Sequence, residues 1–440
     1  MRVLTNNYDR RYLNIAMPAA IESIFMILLA SADLIMVGTL GAVSVAAVSI
    51  FLQPRLVLLC FSRSMASAVT LLASRKAGAG DVGEVSGLLR KSVFLCAIFM
   101  GILHLIFFCC LEQILLLMGA SSDYLAEAMA YGTVATISVY ITSLTLILQA
   151  VQLGFGETAV IMKTNILGNI VNVICNAFLI FGLGPFPELG VTGAAIGTVI
   201  GTLVTFAFTV YVMRFGKYFA GGGSILPDRG YFREFLPVFG SVFTEQGCER
   251  IGMVLFARMA AGLGTIPFAV HSICMNICDI YYDFALGLGK ASMVLAGQSC
   301  GAKNETDWKR FKWVGIKWSL IFSTVSFVLT AVFREQIFGI YTNDPEAIAM
   351  SGMIMLLVAF VSYPEAHAIV CAGILRGSGQ TAVVALYSSI LITVLRPLMT
   401  AFFLYYLELG LTGAWLALVL DQGIRSVCSS FLLQRIKKIA

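Results

Sequence analysis

The chain has 440 residues, of which 59% are hydrophobic and 12% charged, with a formal charge of +5. Soluble domains carry about 25% charged residues, so this apolar surplus exceeds what water-soluble cores can hide and makes a bilayer the natural solvent. The charge is too small and too scattered for a nucleic-acid surface. The eleven cysteines, Cys96, Cys109, Cys110, Cys175, Cys274 and Cys278 among them, sit mostly in apolar stretches and match no zinc spacing. They read as small packing residues in a chain without a disulfide framework.

Arg10 and Arg11 precede the first apolar run, as in a signal peptide. That run carries Glu22 and Asp33 and lacks a small-residue cleavage site, which predicts a retained first helix. Apolar stretches of about 20 residues, long enough to span hydrocarbon as helix, then recur along the chain. The predicted spans are 12–37, 44–73, 92–118, 124–150, 160–182, 190–213, 235–261, 266–297, 312–334, 347–375, 383–406 and 410–434. A longer connection near 214–234 holds Gly221, Gly222, Gly223 and Pro227 with four basic residues.

Alternate connections carry the cations. The first set holds Arg2, Arg10 and Arg11; Arg75, Lys76, Arg90 and Lys91; Lys163; and Arg214, Lys217, Arg229 and Arg233. It continues with Lys303, Lys309, Arg310, Lys312 and Lys317, then Arg376, then Arg435, Lys437 and Lys438, whereas the opposite set holds Arg334. The positive-inside rule makes the first set cytoplasmic, with both termini inside and an even number of crossings.

The halves resemble each other. Gly154-Phe-Gly-Glu-Thr-Ala-Val160 returns as Gly377-Ser-Gly-Gln-Thr-Ala-Val383, 223 residues on (154 to 377), and Gly78-Ala79 returns as Gly301-Ala302 at the same offset. Glu188 to Ala194 returns as Glu408 to Ala414, 220 on, and Pro18 returns as Pro237, 219 on. Six helices, an even number, separate the copies, so both have one orientation and an axis along the membrane normal relates them. The expected fold is an all-α polytopic membrane protein with twelve transmembrane helices in two pseudo-symmetric six-helix lobes. Residues 1–213 form the N-terminal lobe, 214–234 a cytoplasmic linker and 235–440 the C-terminal lobe.

An ionised side chain at mid-membrane costs about 2.5–3.5 kcal/mol, so each needs a partner, a wet cavity or a function. Asp33 has no basic neighbour on its own helix, and Glu22, eleven residues earlier, shares its face. Asp33 is suited to carry a proton or a cation; a hydrogen bond to a neighbouring helix is the structural alternative. Asn165, Asn169, Asn172 and Asn176 align along the fifth span, as inter-helix glue or as a polar pathway. Glu245 and Glu249, with Arg250 adjacent, share a face of the seventh span, while Asn276, Asp279, Asp283 and Lys290 mark the eighth. Asp283 and Lys290 read as a neutralising pair, and so do Asp421 and Arg425 at i, i+4. His104, His271 and His367 are dispersed, with packing as the default reading. Gly287-Leu-Gly-Lys-Ala-Ser292 lacks the first glycine of a phosphate loop, and no nucleophile elbow is present. An ion gradient is then the remaining local energy source; no enzyme, cofactor or metal site is expected.

Several pieces together resemble the multidrug and toxic compound extrusion transporters over essentially the whole chain. They are Met17-Pro-Ala-Ala-Ile-Glu22, Ala32-Asp-Leu-Ile-Met-Val-Gly38, Gly78-Ala-Gly-Asp81, Gly190-Val-Thr-Gly-Ala-Ala195, Ala269-Val-His271 with Asn276, and Leu375-Arg-Gly-Ser-Gly379. The resemblance implies export of amphipathic, often cationic compounds in exchange for protons or sodium, by two lobes rocking about a central cavity. It places Asp33 on the family's first-helix aspartate, Asn172 on its fifth-helix asparagine, Glu249 on its seventh-helix glutamate and Thr198 on a sixth-helix threonine. Asn176 and Gln380 stand where relatives carry aspartate, and each swap removes a negative charge. The expected coupling set is therefore Asp33, Asn172, Asn176 and Thr198, and one carboxylate favours a proton over sodium. Glu249, Asp279 and Asp283 are the second-lobe candidates, and Glu22, Gln53 and Asn169 the candidates for the substrate cavity. The expected partners are a small-molecule substrate and membrane lipid, with no nucleic acid, for a monomer in the cell membrane. A flippase for lipids or lipid-linked sugars is the alternative on the same two-lobe plan.

Overall fold

A computed structural model describes residues 7–216, 218 and 224–436. Arg2, Lys217, Gly221, Gly222, Gly223, Lys437 and Lys438 lie outside the described residues. In the first half the helices are α1 (Asn7–Gly38), α2 (Ala42–Gly78), α3 (Val82–Cys109), the short α4 (Leu111–Leu117), α5 (Ser122–Gly154), α6 (Thr158–Phe181) and α7 (Gly190–Arg214). The second half has α8 (Arg229–Ala261), α9 (Thr265–Gly301), α10 (Glu305–Val332), the short α11 (Arg334–Gly339) and α12 (Pro345–Gly377). An interrupted span follows: α13 (Thr381–Ile390), a π-helical stretch (Leu391–Leu395), α14 (Arg396–Ala401) and a second π stretch (Phe402–Tyr406). The last helix is α15 (Gly410–Arg435).

Among the described residues, ten spans are long and apolar enough to cross a bilayer. The two further long helices, α8 and α9, miss that measure because Glu245, Glu249, Arg250 and Arg258 on one, and Asp279, Asp283 and Lys290 on the other, dilute their apolar content. The protein is an all-α polytopic membrane protein.

The repeat seen in the sequence governs helix ends as well. Helices α2 and α9 both have 37 residues and start 223 apart (42 to 265); α3 and α10 both have 28, and α5 and α12 both have 33. Left-handed turn positions recur at the same offset: Gly41 and Gly264, Gly156 and Gly379. The next such position holds Gly80 in the first copy and Lys303 in the second, with φ of 78° and 52°. Asp81 accepts from the Glu84 amide at 2.9 Å to cap α3, and Asn304 accepts from the Asp307 amide at 3.0 Å to cap α10. Each cap satisfies one of the free amides of a helix start.

By contacts the chain forms two compact units, one of 1–20 with 240–440 and the other of 21–239. Chain order divides it at 213 and 234; the contact units divide it inside α1 and inside α8, two residues beyond Pro18 and Pro237. Proline removes one intrahelical hydrogen bond, so a helix can change neighbours there. The start of α1 accordingly packs in the second-half unit, where the Tyr12 hydroxyl donates to the Leu288 carbonyl at 2.9 Å. The start of α8 packs in the first-half unit, where the Tyr231 and Ser92 hydroxyls share a hydrogen bond of 3.0 Å. Just outside it, Asp228 pairs with Lys91 at 2.8 Å and caps Tyr231. The Lys91 hydrogen bond holds the Asp228 carboxyl below the usual carboxylate range.

The 21–239 unit has two apolar cores, one around Met65, Leu89, Ile147 and Phe235 and one around Phe51, Leu111, Leu115 and Tyr131. A third core, around Phe256, Phe338, Met355 and Trp415, lies in the other unit. Large apolar side chains left outside these cores, such as Ile35, Leu117 and Val427, suit a helix surface that faces lipid.

Candidate functional site

In the 21–239 unit, α1 and α6 meet through three contacts at one constant separation. Asn165 donates to Glu22, Asn169 Nδ2 lies 3.1 Å from Met26 Sδ, and Asn176 Nδ2 donates to Asp33 Oδ1 at 2.9 Å, each pair 143 residues apart. A constant separation means parallel helices in register, so the asparagine stripe of α6 lies along the acidic face of α1. The stripe thus joins α6 to α1, as the inter-helix reading expects.

Glycines on α7 make room for it. A Cβ at Gly197 would fall 2.0 Å from Asn176 Oδ1, and one at Gly201 would fall 2.5 Å from Asn172 Cβ. Gly193, Gly197 and Gly201 recur every four residues, the small-residue pattern that lets membrane helices approach closely. Asn172 donates to Thr198 Oγ1 at 3.3 Å, and Thr198 donates onward to the Ala194 carbonyl. Asn172 and Asn176 are buried, and Asn176 Oδ1 has no partner among the described residues. Asp33, Asn172, Asn176 and Thr198 therefore lie along one α1–α6–α7 seam, with Asp33 in direct contact with Asn176 alone of the set.

Glu22 and Asn169 stand on the same seam. Asn165 links Glu22 to Gln149, whose Nε2 donates to Asn165 Oδ1 at 2.7 Å, and Asn169 Nδ2 donates to the Asn165 carbonyl. Gln53 is exposed on α2 and joins none of these contacts. Arg55, two residues on, is a residue that sequence reading passed over. Its Nε is buried without a hydrogen bond, and it stands within electrostatic reach of Asp33 and Tyr131. A lone cation inside an apolar run was the available signal.

The other unit treats its charges differently. Arg376 Nη2 binds Glu245 at 2.7 Å, and Arg396 binds Asp421 Oδ2 through both Nε at 3.0 Å and Nη2 at 2.6 Å. Arg396 and Asp421 are 3% and 0% exposed, a fully dehydrated ion pair. Asp421 is thus held by Arg396 of α14, and the i, i+4 pairing with Arg425 expected from sequence is not its main contact. Glu365, buried on α12, accepts from Gln422 at 3.1 Å. Glu249 accepts from Tyr282 at 3.3 Å; Asp279 is exposed and Asp283 half-buried, both in electrostatic range of one another. Glu365 and Arg396 were missed in sequence, although each is a lone ionisable residue in an apolar stretch. Gln380 is exposed in the turn before α13.

The three histidines pack. His104 bonds the Met100 carbonyl, His367 bonds Ser430, and His271 lies among Phe256, Phe268 and Trp415.

The duplicated helical fold has close counterparts. The family model MatE matches residues 18–178 and again 237–402. The chain belongs to the MatE family. The two matches start 219 residues apart (18 to 237), beginning at the same two prolines that mark the unit crossovers. Among relatives of MatE proteins, a probable multidrug resistance protein NorM from Thermotoga maritima is 26% identical, covering 95% of this chain and 90% of its own. The multidrug resistance protein PmpM of Pseudomonas aeruginosa is 25% identical, covering 85% of this chain and 79% of its own. A solved outward-facing multidrug resistance transporter of the family, in the MOP superfamily, superposes with a TM-score of 0.89 over 99% of this chain and 98% of its own, at 19% identity. A MOP superfamily transporter from Pyrococcus furiosus superposes with a TM-score of 0.87 at 20% identity, covering 98% and 96%. These likenesses make the twelve-helix MatE fold that of this chain.

Proposed function

We propose that this MatE protein exports amphipathic, cationic small molecules across the cell membrane in exchange for protons or sodium, by alternating access. The observation that carries the reading is Asp33 on a MatE first helix, held by the Asn176 amide, with Arg55 in electrostatic range and no ion pair to it among the described residues. A ligand shifts a conformational equilibrium only through differential affinity for its states. A bare Asp33 carboxylate attracts a cationic substrate; a proton or sodium ion on it cancels that charge and releases the substrate outside. Amide Nδ2 of Asn176 holds the carboxylate in place without neutralising it, which leaves the charge available for exchange. Asp33 is the one carboxylate in the set Asp33, Asn172, Asn176 and Thr198, which favours a proton as the coupling ion, while Glu22, farther along the seam, is held by Asn165. The names of the relatives, multidrug resistance proteins, support the substrate class. The distribution of cations among the loops supports cytoplasmic termini.

Reconstitution in vesicles under separately imposed proton and sodium gradients tests the proposal. Adding a lipophilic cation should collapse the proton gradient in step with its uptake. Dissipation of neither gradient during substrate movement would refute antiport.

A further inference from the structure

The unit of 1–20 with 240–440 carries a further group of charged and aromatic side chains. The start of α1 and the first turns of α10 enclose an open cavity of about 340 Å³ lined by Tyr8, Asp9, Lys309, Arg310, Trp313 and Lys317. Its one acid, Asp9, is 3% exposed and accepts at Oδ1 from both Lys317 and Trp318 Nε1, the latter at 2.9 Å. Among the described residues Lys309 pairs with Glu305, both of them exposed, and such a pair holds little energy in water. Arg310 lies over the Tyr8 ring at 4.9 Å and has no ion pair among the described residues. Tyr8 is fixed in turn, because its hydroxyl donates to Asp307 at 2.7 Å and its ring meets Phe311 edge-on. The cavity is therefore a prebuilt cationic pocket in need of an anion.

What lies along the helix identifies the anion's source. Trp313 is 65% exposed, and an exposed indole on a membrane helix sits at headgroup level. Leu320, seven residues on and so on the same face, is 58% exposed, and Val328 beyond it is 50% exposed. Cations, an interfacial tryptophan and an apolar lane follow one another in the order of a phospholipid's phosphate, glycerol and acyl chain. We propose that this pocket binds the phosphate of an anionic glycerophospholipid, with an acyl chain laid along α10. Basic pockets on membrane helices of this kind recognise acidic headgroups, each cation near the surface adding about fivefold in affinity. A soluble phosphate would satisfy Arg310 and Lys309 and leave the lane bare. The inference does not depend on the role of Asp33.

Native mass spectrometry of the full-length protein, incubated with phosphatidylglycerol or phosphatidylcholine, tests it. Phosphatidylglycerol should be retained at least about tenfold better. Arg310→Gln and Lys309→Gln should each cut that retention about fivefold. Arg310→Lys should restore most of it, and Lys163→Gln, on α6, should change nothing. Thermal melts identify any variant that fails to fold, and the remaining variant carries the test. Equal retention of the two lipids, unchanged retention in folded Arg310→Gln and Lys309→Gln, or displacement of the lipid by excess inorganic phosphate would overturn the proposal.

Discussion

The two units share a fold and a 223-residue offset, yet several of their acids have different partners. In the 21–239 unit the acids Glu22 and Asp33 are held by amides, from Asn165 and Asn176. In the other unit Glu245 and Asp421 are clamped by Arg376 and Arg396. At the 223-residue offset of the helix ends, position 22 falls on Glu245 and position 33 on the buried Phe256, while at the 219-residue offset of Pro18 and Pro237 they fall on Ser241 and Gly252. The counterpart of the straight α6 is broken by two π stretches flanking Arg396. Both copies thus keep the scaffold while their acids differ in partner: Glu245 and Asp421 are bound by guanidinium groups, whereas Glu365 of the same unit is held, like Asp33, by an amide, from Gln422. An acid held by an amide keeps its negative charge for a mobile partner; an acid bound twice by one guanidinium has already been neutralised.

The difference predicts a graded set of effects. The largest falls on the dehydrated pair. Asp421→Ala leaves Arg396 buried and unpaired, which should cost about 3–5 kcal/mol, read as a large drop in melting temperature. The double variant Arg396→Met with Asp421→Leu should recover most of that loss. Failure of the double variant to recover would mean that the pair has a use beyond neutralisation. Next comes the asparagine seam. Gly197→Ala drives a methyl into Asn176 Oδ1, and the overpacking should cost about 1–3 kcal/mol. A variant as stable as wild type would show that α7 can shift away from α6. Smaller again is the left-handed turn that the copies fill differently. Lys303→Gly relieves a side chain at positive φ and should gain about 1 kcal/mol, while Gly80→Ala should lose a similar amount. The smallest effect belongs to the Lys91–Asp228 clip. The Asp228 pKa is lower in the folded chain than in the unfolded one, so its contribution is present above the ordinary aspartate pKa. It is lost as pH falls below that value, and Asp228→Asn should abolish the pH dependence of protease nicking near 224–228.

Much of the fold was legible because periodicity and repetition are local signals. Offsets of 219 to 223 read from short motifs reappear in helix lengths, caps and turn angles. The crossover of α1 and α8 between units was not legible, since Pro18 and Pro237 announce a break without saying which neighbours each half-helix meets. The site was legible to the extent that it lay along one helix. The stripe Asn165 to Asn176 and the pair Glu22 and Asp33 each follow helical spacing, but their register against one another emerges only when α1 and α6 are set side by side. Asp421 shows the opposite failure. Arg425 was the near partner by spacing, and the actual one, Arg396, sits on another helix where periodicity has no reach. Arg55, Glu365 and Arg396 were overlooked although the cost argument applied to Asp33 covers them equally.

In the proposed mechanism the exchangeable charge is the carboxylate of Asp33, while the arginine-bound acids serve the scaffold. Drug efflux from reconstituted vesicles, measured in parallel for Asp33→Asn and for the double variant Arg396→Met with Asp421→Leu, addresses it most directly. The account predicts that the first melts like wild type and transports at background, and that the second transports within a few-fold of wild type. Efflux by Asp33→Asn at the wild-type rate would contradict it.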